Sequence, residues 1–322
     1  PLGSTSIFFV ITQNLNAKEK IKTAFSATII AATILLFFAL LGSYILKYLN
    51  ITFSAFTIAG GIILFIISLE MLFNKRQQRK EENINFQKAG CVAQSENFSQ
   101  HVKMLEPNCE IDIVEPGNDS SISKIISSLD KYNGIILTGS TLRVNDDSNE
   151  IKKHIEFAKT CFKYNKIFFA ACWGLQITVT AAGGKCRVAP KGPHIGIAYN
   201  IELTEEGKQH KLYSSKPYKF TTPAFNFDEV EIPPSNAVLL ATDKINKFQA
   251  LHFMVGNSEV WGLQYHPEIP YDYMIKLIKH RKERLLNIKS FKNENEIQQH
   301  ITSIEREKNQ LTDDMRTLEL KN

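Results

Sequence analysis

The chain has 322 residues, enough for more than one domain, and carries a formal net charge of +5. Its lysines and arginines are spread out without forming a stripe, so we expect no nucleic acid partner. The five cysteines are odd in number, irregularly spaced and without a CxxC pair, which argues against a disulfide framework and against a zinc site. Free thiols are typical of a reducing compartment.

Two apolar segments without charged residues lie near the N-terminus, at residues 23–46 and 51–69. Each is long enough to cross about 30 Å of hydrocarbon as a helix. The link between them, residues 47–50, is short and polar. We therefore predict a membrane region over residues 1–80, with a hairpin of transmembrane helices at about 23–46 and 51–73. The alternative is two buried helices of a soluble core, which two uncharged runs in tandem disfavour.

Charges at the ends of this hairpin indicate its orientation. Basic residues flank it at Lys18, Lys20, Lys22, Lys75, Arg76, Arg79 and Lys80. Only Lys47 lies at the tip. By the positive-inside rule, both ends face the cytoplasm, and so does everything after residue 80.

Three stretches of this region, residues 1–9, 37–42 and 55–65, carry a recognisable pattern, which includes Ile58-Ala59-Gly60-Gly61. On these residues the region resembles the start of the MarC-type family of small inner-membrane proteins. The resemblance implies a multi-pass location in the inner (cytoplasmic) membrane, in contact with membrane lipid. Because it covers only the first membrane segments of that family, we expect a truncated MarC-like region and no complete transport unit.

Helices and strands alternate in the next part of the chain. The pattern predicts helices at residues 97–104, 122–129, 151–164 and 173–182, with strands at 110–114, 134–138 and 167–171. This alternation indicates an α/β fold, with a mostly parallel sheet flanked by helices. Further strands are predicted at 195–203, 218–221, 238–241, 249–253 and 260–264, in a more antiparallel section, before a helix at 271–286. We assign this domain to residues 81–288.

The last segment, residues 289–322, is charged and poor in glycine and proline. Apolar residues recur there at heptad-like spacing, at Ile297, Ile301, Ile304, Leu311, Met315 and Leu318. The spacing predicts a helical tail, as an amphipathic helix or a weak coiled coil. A largely solvated helix is the alternative.

Two separated motifs predict a catalytic site. The apolar stretch at residues 167–171 ends abruptly at Cys172, and Gly174 follows, which is typical of a nucleophile elbow between a strand and a helix. Much later, His266 and Glu268 flank a proline. We predict a triad in which Cys172 is the nucleophile, His266 the general base, and Glu268 the carboxylate that orients the imidazole. The alternatives are a buried structural cysteine, a structural histidine and a surface carboxylate.

The motifs at residues 134–140, 171–176, 182–185, 190–196 and 262–268 resemble, in order and spacing, those of the class I (triad) glutamine amidotransferases. The resemblance is greatest to stand-alone members described as GMP synthase-like. It implies hydrolysis of L-glutamine to glutamate and ammonia, no metal or organic cofactor, and a separate ammonia-accepting synthetase. It also implies an oxyanion site at the N–H groups of Trp173 and of Gly139 or Ser140, with Gln176 contacting the substrate. An ordinary turn glycine and a helix cap are the alternatives for Gly139 and Gln176.

Other functions stay open at this point. A hydrolase of another γ-glutamyl amide would share the triad. A catalytically inactive fusion or decayed fragment is favoured by Ala170, where the family usually has glycine, and by Asn226, where a histidine is common. The same interpretation is favoured by the residues between Lys75 and Cys91, which do not resemble the hydrophobic strand that opens the family's fold.

Overall fold

The structure, a computed structural model, describes residues 17–66, 90–117, 122–146, 148–214 and 216–319. The chain divides into two compact units, residues 1–82 and 83–322. The end of the second predicted transmembrane helix lies outside the described residues. The same is true of nearly all of residues 75–91, whose sequence does not resemble the strand that opens the family's fold.

The described part of the first unit consists of two apolar helices, α1 (Ala17–Tyr48) and α2 (Phe53–Ile66). Within α1, the stretch Ile21–Tyr48 is long and apolar enough to cross a membrane, and none of its most apolar window is buried. Large side chains such as Phe25, at 68% exposure, and Leu35, at 70%, have no core around them. A core helix of a soluble protein would bury these side chains, so α1 supports membrane association.

A short turn joins these helices. Asn50 adopts a left-handed conformation with φ 54°, and the Thr52 Oγ1 atom accepts a hydrogen bond from the Ala55 N–H at 3.2 Å, as a helix cap does. The described part of α2 is shorter than a membrane span requires. The predicted second span therefore stays a prediction.

The second unit is built from short strands and helices. Its strands are β1 (Gly134–Leu137), β2 (Ile167–Ala171), β3 (Lys185–Val188), β4 (His194–Ile195), β5 (Ala198–Leu203), β6 (Lys219–Thr222), β7 (Phe225–Asn226), β8 (Asp228–Ile232), β9 (Val238–Thr242), β10 (Ala250–Val255) and β11 (Ser258–Leu263). Its helices are α3 (Gln94–Leu105), α4 (Ile122–Ser127), α5 (Asn149–Cys161), α6 (Trp173–Ala181), α7 (Glu205–Gln209), α8 (Tyr271–His280), α9 (Lys282–Asn287) and α10 (Glu294–Glu319).

Seven of these strands form one mixed sheet in the order β1-β2-β11-β10-β9-β5-β6. Strands β1, β2 and β11 run parallel to one another, whereas the remaining neighbours in this sheet pair antiparallel. The predicted α/β fold with flanking helices is confirmed. The antiparallel section is the one that the sequence places after Gly184, except that β11 returns to lie beside β2.

Strand β2 lies inside the sheet because all five of its side chains are apolar. Phe168, Ala170 and Ala171 are fully buried, and β2 pairs with β1 on one side and with β11 on the other. Helix α6 packs over this strand through Leu175 and Val179. Burial of each large apolar side chain contributes about 1.5–3 kcal/mol to this packing.

The predicted strand at 110–114 is wrong, because residues 109–115 form no regular secondary structure. Ile113 is 54% exposed there. The sheet begins at β1, which pairs with β2 alone among the described strands. An extended segment needs a neighbouring strand to satisfy its backbone groups, and 110–114 has none within the described residues.

The predicted strand at 195–203 is divided in two by Gly196, which adopts φ +88°. A Cβ atom at this position would lie 2.6 Å from the Ile278 and Ile304 side chains. The glycine lets the chain turn from β4, which pairs with β7, into β5 of the large sheet. The pairings of β3 with β8 and of β4 with β7 were not predicted.

The C-terminal segment is helical as predicted, and the first part of α10 packs into the domain. Ile297, Ile301 and Ile304 are buried in one cluster with side chains of α8, including Met274 and Ile278. The domain boundary at residue 288 stays a prediction, but α10 is not a solvated tail along this part.

The burial of Ile301 generates a prediction about stability. Replacing Ile301 by Ala leaves a cavity between α8 and α10, so we expect the unfolding free energy to fall by about 2–5 kcal/mol. Replacement of Leu311, which is 51% exposed, by Ala is the matched control and should change it by less than about 0.5 kcal/mol. Urea unfolding of the full chain in detergent micelles, followed by tryptophan fluorescence, measures both. Equal effects would show that α10 is not part of the core.

Candidate active site

Cys172 lies at a sharp turn between β2 and α6. Its backbone has φ 52° and ψ −108°, a strained conformation for a non-glycine residue, and its N–H donates to the Leu263 carbonyl at 2.6 Å. Gly174 makes the turn possible, because a Cβ atom there would lie 2.2 Å from the Leu137 carbonyl oxygen. The side chain of Cys172 is thereby held at the end of the parallel strands, as in a nucleophile elbow.

Ala170 does not disturb this turn. It is fully buried, and β2 keeps a regular parallel register, in which Ala170 is paired with Leu137 on one side and with Gly262 on the other. The methyl group at the position where the related family usually has glycine is therefore accommodated within the strand.

His266 connects Cys172 to Glu268. The His266 Nδ1 atom lies 2.7 Å from the Glu268 Oε1 atom, and Cys172 lies near enough to the imidazole to raise its pKa. All three side chains are buried, with 5% or less of each residue exposed. The structure therefore brings together the sulfur, the imidazole and the carboxylate that the sequence separates by almost a hundred positions.

The charges around His266 decide its protonation. Burial acts most strongly and lowers the pKa of His266, but the charges of Cys172 and Glu268, together with hydrogen bonds to both, outweigh it and raise the pKa to about 10. The site therefore favours the protonated, cationic form of the imidazole. A cation beside a cysteine sulfur favours the thiolate, which is the nucleophilic form.

The other four predicted site residues surround this group in different ways. Gly139 packs against His266, since a Cβ atom on it would lie 2.9 Å from the imidazole Cε1 atom. Ser140 lines the cavity beside Cys172, but its Oγ atom accepts a hydrogen bond from the Leu142 N–H at 3.1 Å. Trp173 is the first residue of α6, where backbone N–H groups have no partner within the helix.

Gln176 lines the cavity and is hydrogen-bonded within the protein. Its Nε2 atom donates to the Asp228 carbonyl at 2.8 Å and to the Gln264 side-chain oxygen at 3.3 Å. The Gln264 Nε2 atom in turn donates to the Cys172 sulfur at 3.7 Å. Gln176 thus lines the cavity while its amide group donates within the protein, and its contact with the substrate stays a prediction.

Several residues at the site were not predicted. The Asn97 side chain on α3 donates to the Glu268 carbonyl at 3.0 Å, and the Arg143 guanidinium forms a two-pronged ion pair with the buried Asp228 carboxylate. Arg281, which follows α8, lines the cavity together with Cys172. These side chains come from distant parts of the chain and belong to no short motif. Within the described residues, no cluster of His, Cys, Asp and Glu could hold a metal ion.

The charge on His266 predicts a pH dependence of stability. Between its ordinary pKa of 6.5 and about 10, the folded state holds a proton that the unfolded state lacks. This stabilisation is complete below the lower value and is lost as the pH rises through the higher one. We expect the urea midpoint to fall more steeply from about pH 7 to about pH 10 in the wild type than in His266→Gln. Parallel pH profiles would contradict the charged assignment.

Comparison with known proteins identifies the family of each part of the chain. The sequence model of the class-I glutamine amidotransferases matches residues 94–273, more than half of the chain, and that of the MarC family of integral membrane proteins matches residues 1–94. A γ-glutamyl-L-1-hydroxyisopropylamide hydrolase from a Pseudomonas species is 32% identical over 191 residues, covering 58% of this chain and 64% of that protein.

A second relative, γ-glutamyl peptidase 4 of Arabidopsis thaliana, is 28% identical over 152 residues, covering 47% of this chain and 59% of the peptidase. This chain therefore spans less than two thirds of the length of either relative. A crystal structure of a glutamine amidotransferase from Thermotoga maritima superposes with a TM-score of 0.46 at 19% identity, over 65% of this chain and 94% of that one. The chain belongs to the class-I glutamine amidotransferase family and carries a MarC family segment at its N-terminus.

Proposed function

We propose that the second unit hydrolyses the side-chain amide of L-glutamine to glutamate and ammonia, with Cys172, His266 and Glu268 as the catalytic triad. The observation that carries the proposal is the buried position of His266, which lies 2.7 Å from Glu268 Oε1 and near enough to Cys172 for that residue to raise the pKa of the imidazole. Cys172 itself lies at a strained turn, the kind of place where backbone strain serves chemistry.

The reaction proceeds in two halves. The Cys172 thiolate attacks the side-chain carbonyl carbon of glutamine and forms a C–S bond. The His266 imidazolium donates its proton to the leaving nitrogen, the C–N bond breaks, and ammonia departs from a glutamyl thioester. His266, now neutral, accepts a proton from water as the water attacks the thioester. Glutamate leaves, and the thiolate–imidazolium pair is restored.

Two backbone N–H groups stabilise the negative oxygen of the tetrahedral intermediates. The first is that of Trp173, at the start of α6, where the helix dipole adds to the attraction. The second comes from Gly139 or Ser140, at the end of β1. Gly139 is favoured by its close approach to His266, which only a residue without a side chain permits.

A second candidate is hydrolysis of an N-substituted γ-glutamyl amide. It is supported by the names of the two relatives, a γ-glutamyl hydroxyisopropylamide hydrolase and a γ-glutamyl peptidase. The acyl half of such a substrate is the same as in glutamine, so the triad acts identically and an amine departs in place of ammonia. If ammonia is the product, a separate synthetase would consume it.

The first unit anchors the enzyme in a membrane. The proposal for a multi-pass location in the inner membrane, with the catalytic unit in the cytoplasm, rests on the MarC match, on the unburied apolar surface of α1, and on basic residues at both ends of the hairpin. Lipid then covers the apolar side chains that the protein leaves exposed.

Loss of the nucleophile tests the catalytic proposal. Cys172→Ala should reduce glutamate release from glutamine by at least about 1,000-fold, because no other group forms the thioester. Cys109→Ala removes a partly exposed thiol away from the cavity and should retain wild-type activity. Both are assayed on glutamine and on γ-glutamylisopropylamide, and the ratio of kcat/KM values decides between the two substrates. Equal rates in the wild type and Cys172→Ala would support the inactive-fusion alternative.

Labelling of cysteines tests the orientation. In bacterial spheroplasts, a membrane-impermeant maleimide should label Tyr48→Cys, at the tip of the hairpin, whereas the native cysteines should react only after lysis. Sodium carbonate washing should leave the protein in the membrane pellet. Labelling of the wild type in intact spheroplasts, or release by carbonate, would contradict the anchored cytoplasmic arrangement.

A further inference from the structure

Arg281 is a cation without a carboxylate partner beside the candidate nucleophile. It lines the same cavity as Cys172, and its guanidinium carbon lies 4.9 Å from the centre of the Phe225 ring. Burial lowers the pKa of Arg281 to about 10, and the nearby charge of Arg284 acts in the same direction. Arg281 is still charged at neutral pH. Among the ion pairs of the described residues, none includes Arg281.

Arg143 and Arg187 differ from Arg281 in this respect, whereas Arg284, which also lines the cavity, has no ion pair among the described residues. Arg143, which also lines the cavity, forms an ion pair with Asp228, and Arg187 pairs with Glu229 at 2.9 Å. Asp228 and Glu229 are buried, and these two arginines neutralise them. A charge removed from water is costly unless it is paired. The positive charge of Arg281 is therefore left for an anion that enters the cavity.

Asn226 presents an unpartnered hydrogen-bond acceptor to the same cavity. It is 4% exposed and lines the cavity. Its Nδ2 atom donates to the Asp228 carbonyl at 3.1 Å, which fixes the amide group, whereas its Oδ1 atom is buried without a hydrogen-bond partner among the described residues. A buried acceptor without a donor costs free energy, so a donor on a bound ligand would be favoured there.

We propose that Arg281 and Asn226 bind the α-amino acid head of the substrate, with the guanidinium donating hydrogen bonds to the α-carboxylate and Asn226 Oδ1 accepting a hydrogen bond from the α-ammonium group. This inference rests on the proposed function, since glutamine and other γ-glutamyl amides carry both groups on one carbon atom. It assigns the specificity of the site for γ-glutamyl compounds over simple amides to these two side chains.

Binding of truncated ligands separates the two contacts. The protein is the full chain in detergent with Cys172→Ala, which removes turnover, and binding is measured by calorimetry. Glutaramic acid lacks the α-ammonium group of glutamine, and 4-aminobutanamide lacks its α-carboxylate. Arg281→Met should weaken the binding of glutamine and of glutaramic acid by about 10- to 100-fold but leave the affinity for 4-aminobutanamide unchanged. Asn226→Ala should weaken the binding of glutamine and of 4-aminobutanamide but leave the affinity for glutaramic acid unchanged.

Two further variants control for charge and folding. Lys279→Met removes an exposed cation from α8, close to Arg281 in sequence, and should leave binding unchanged. Arg281→Lys keeps the positive charge but lacks the planar guanidinium group with its paired N–H donors. It should bind glutaramic acid more tightly than Arg281→Met and less tightly than Arg281 does. Circular dichroism of each variant confirms that the fold is retained.

The carboxylate could also belong to the leaving group of a γ-glutamyl peptide. Comparison of γ-glutamylglycine with γ-glutamylmethylamide distinguishes the two sources, since only the former carries a second carboxylate. If Arg281 binds the α-carboxylate, Arg281→Met weakens the binding of both ligands by the same factor. Weaker binding of γ-glutamylglycine alone would overturn the assignment to the α-amino acid head.

Failure of this inference is distinguishable from failure of the proposed function. If the wild type hydrolyses no amide but the ligand pattern is as expected, the catalytic proposal is wrong and the recognition site stands. If the wild type hydrolyses glutamine and Arg281→Met binds it as tightly as before, the inference is wrong and the catalytic proposal stands. Absence of glutamine binding to the Cys172→Ala protein would also overturn the inference.

Discussion

The contact of His266 with Cys172 and Glu268 exists because two parallel strands end at the same edge of one sheet. Strand β2 leads into Cys172 and β11 leads towards His266, with Ala171 directly beside Leu263 in the register. The backbone bond from Cys172 to the Leu263 carbonyl, at 2.6 Å, fixes the two strand ends together. Every chemical role proposed for the site depends on this register, since a slip of one residue would turn the side chains to the opposite face.

Close packing makes the geometry specific. Gly139 touches the imidazole, Gly174 touches β1, and a Cβ atom on Gly262 would lie 2.3 Å from Leu175. Each glycine therefore allows two backbone elements, or a backbone and a side chain, to approach more closely than any other residue would permit. The buried ion pair is costly to assemble in isolation, but the surrounding packing and its hydrogen bonds fix its arrangement.

The parts of the site that follow from local sequence were predicted, and the parts that depend on distant contacts were not. The apolar run before Cys172 and the short motif at His266 and Glu268 each specify a strand end, so these residues could be named in advance. The strand predicted at 110–114 has the right alternation but no described partner, and pairing is a tertiary property that alternation cannot supply. Arg281 and Asn97 reach the site only through the packing of helices.

Reaction of the protein with a diazoketone analogue of glutamine tests the central claim most directly. This compound places an electrophilic carbon where glutamine has its side-chain amide, so it alkylates the group that attacks that position. The account predicts, by mass spectrometry of the peptides, one adduct on Cys172, slowed by excess glutamine and greatly reduced in His266→Gln. No adduct on Cys172, or labelling of the buried Cys91 at the same rate, would contradict it.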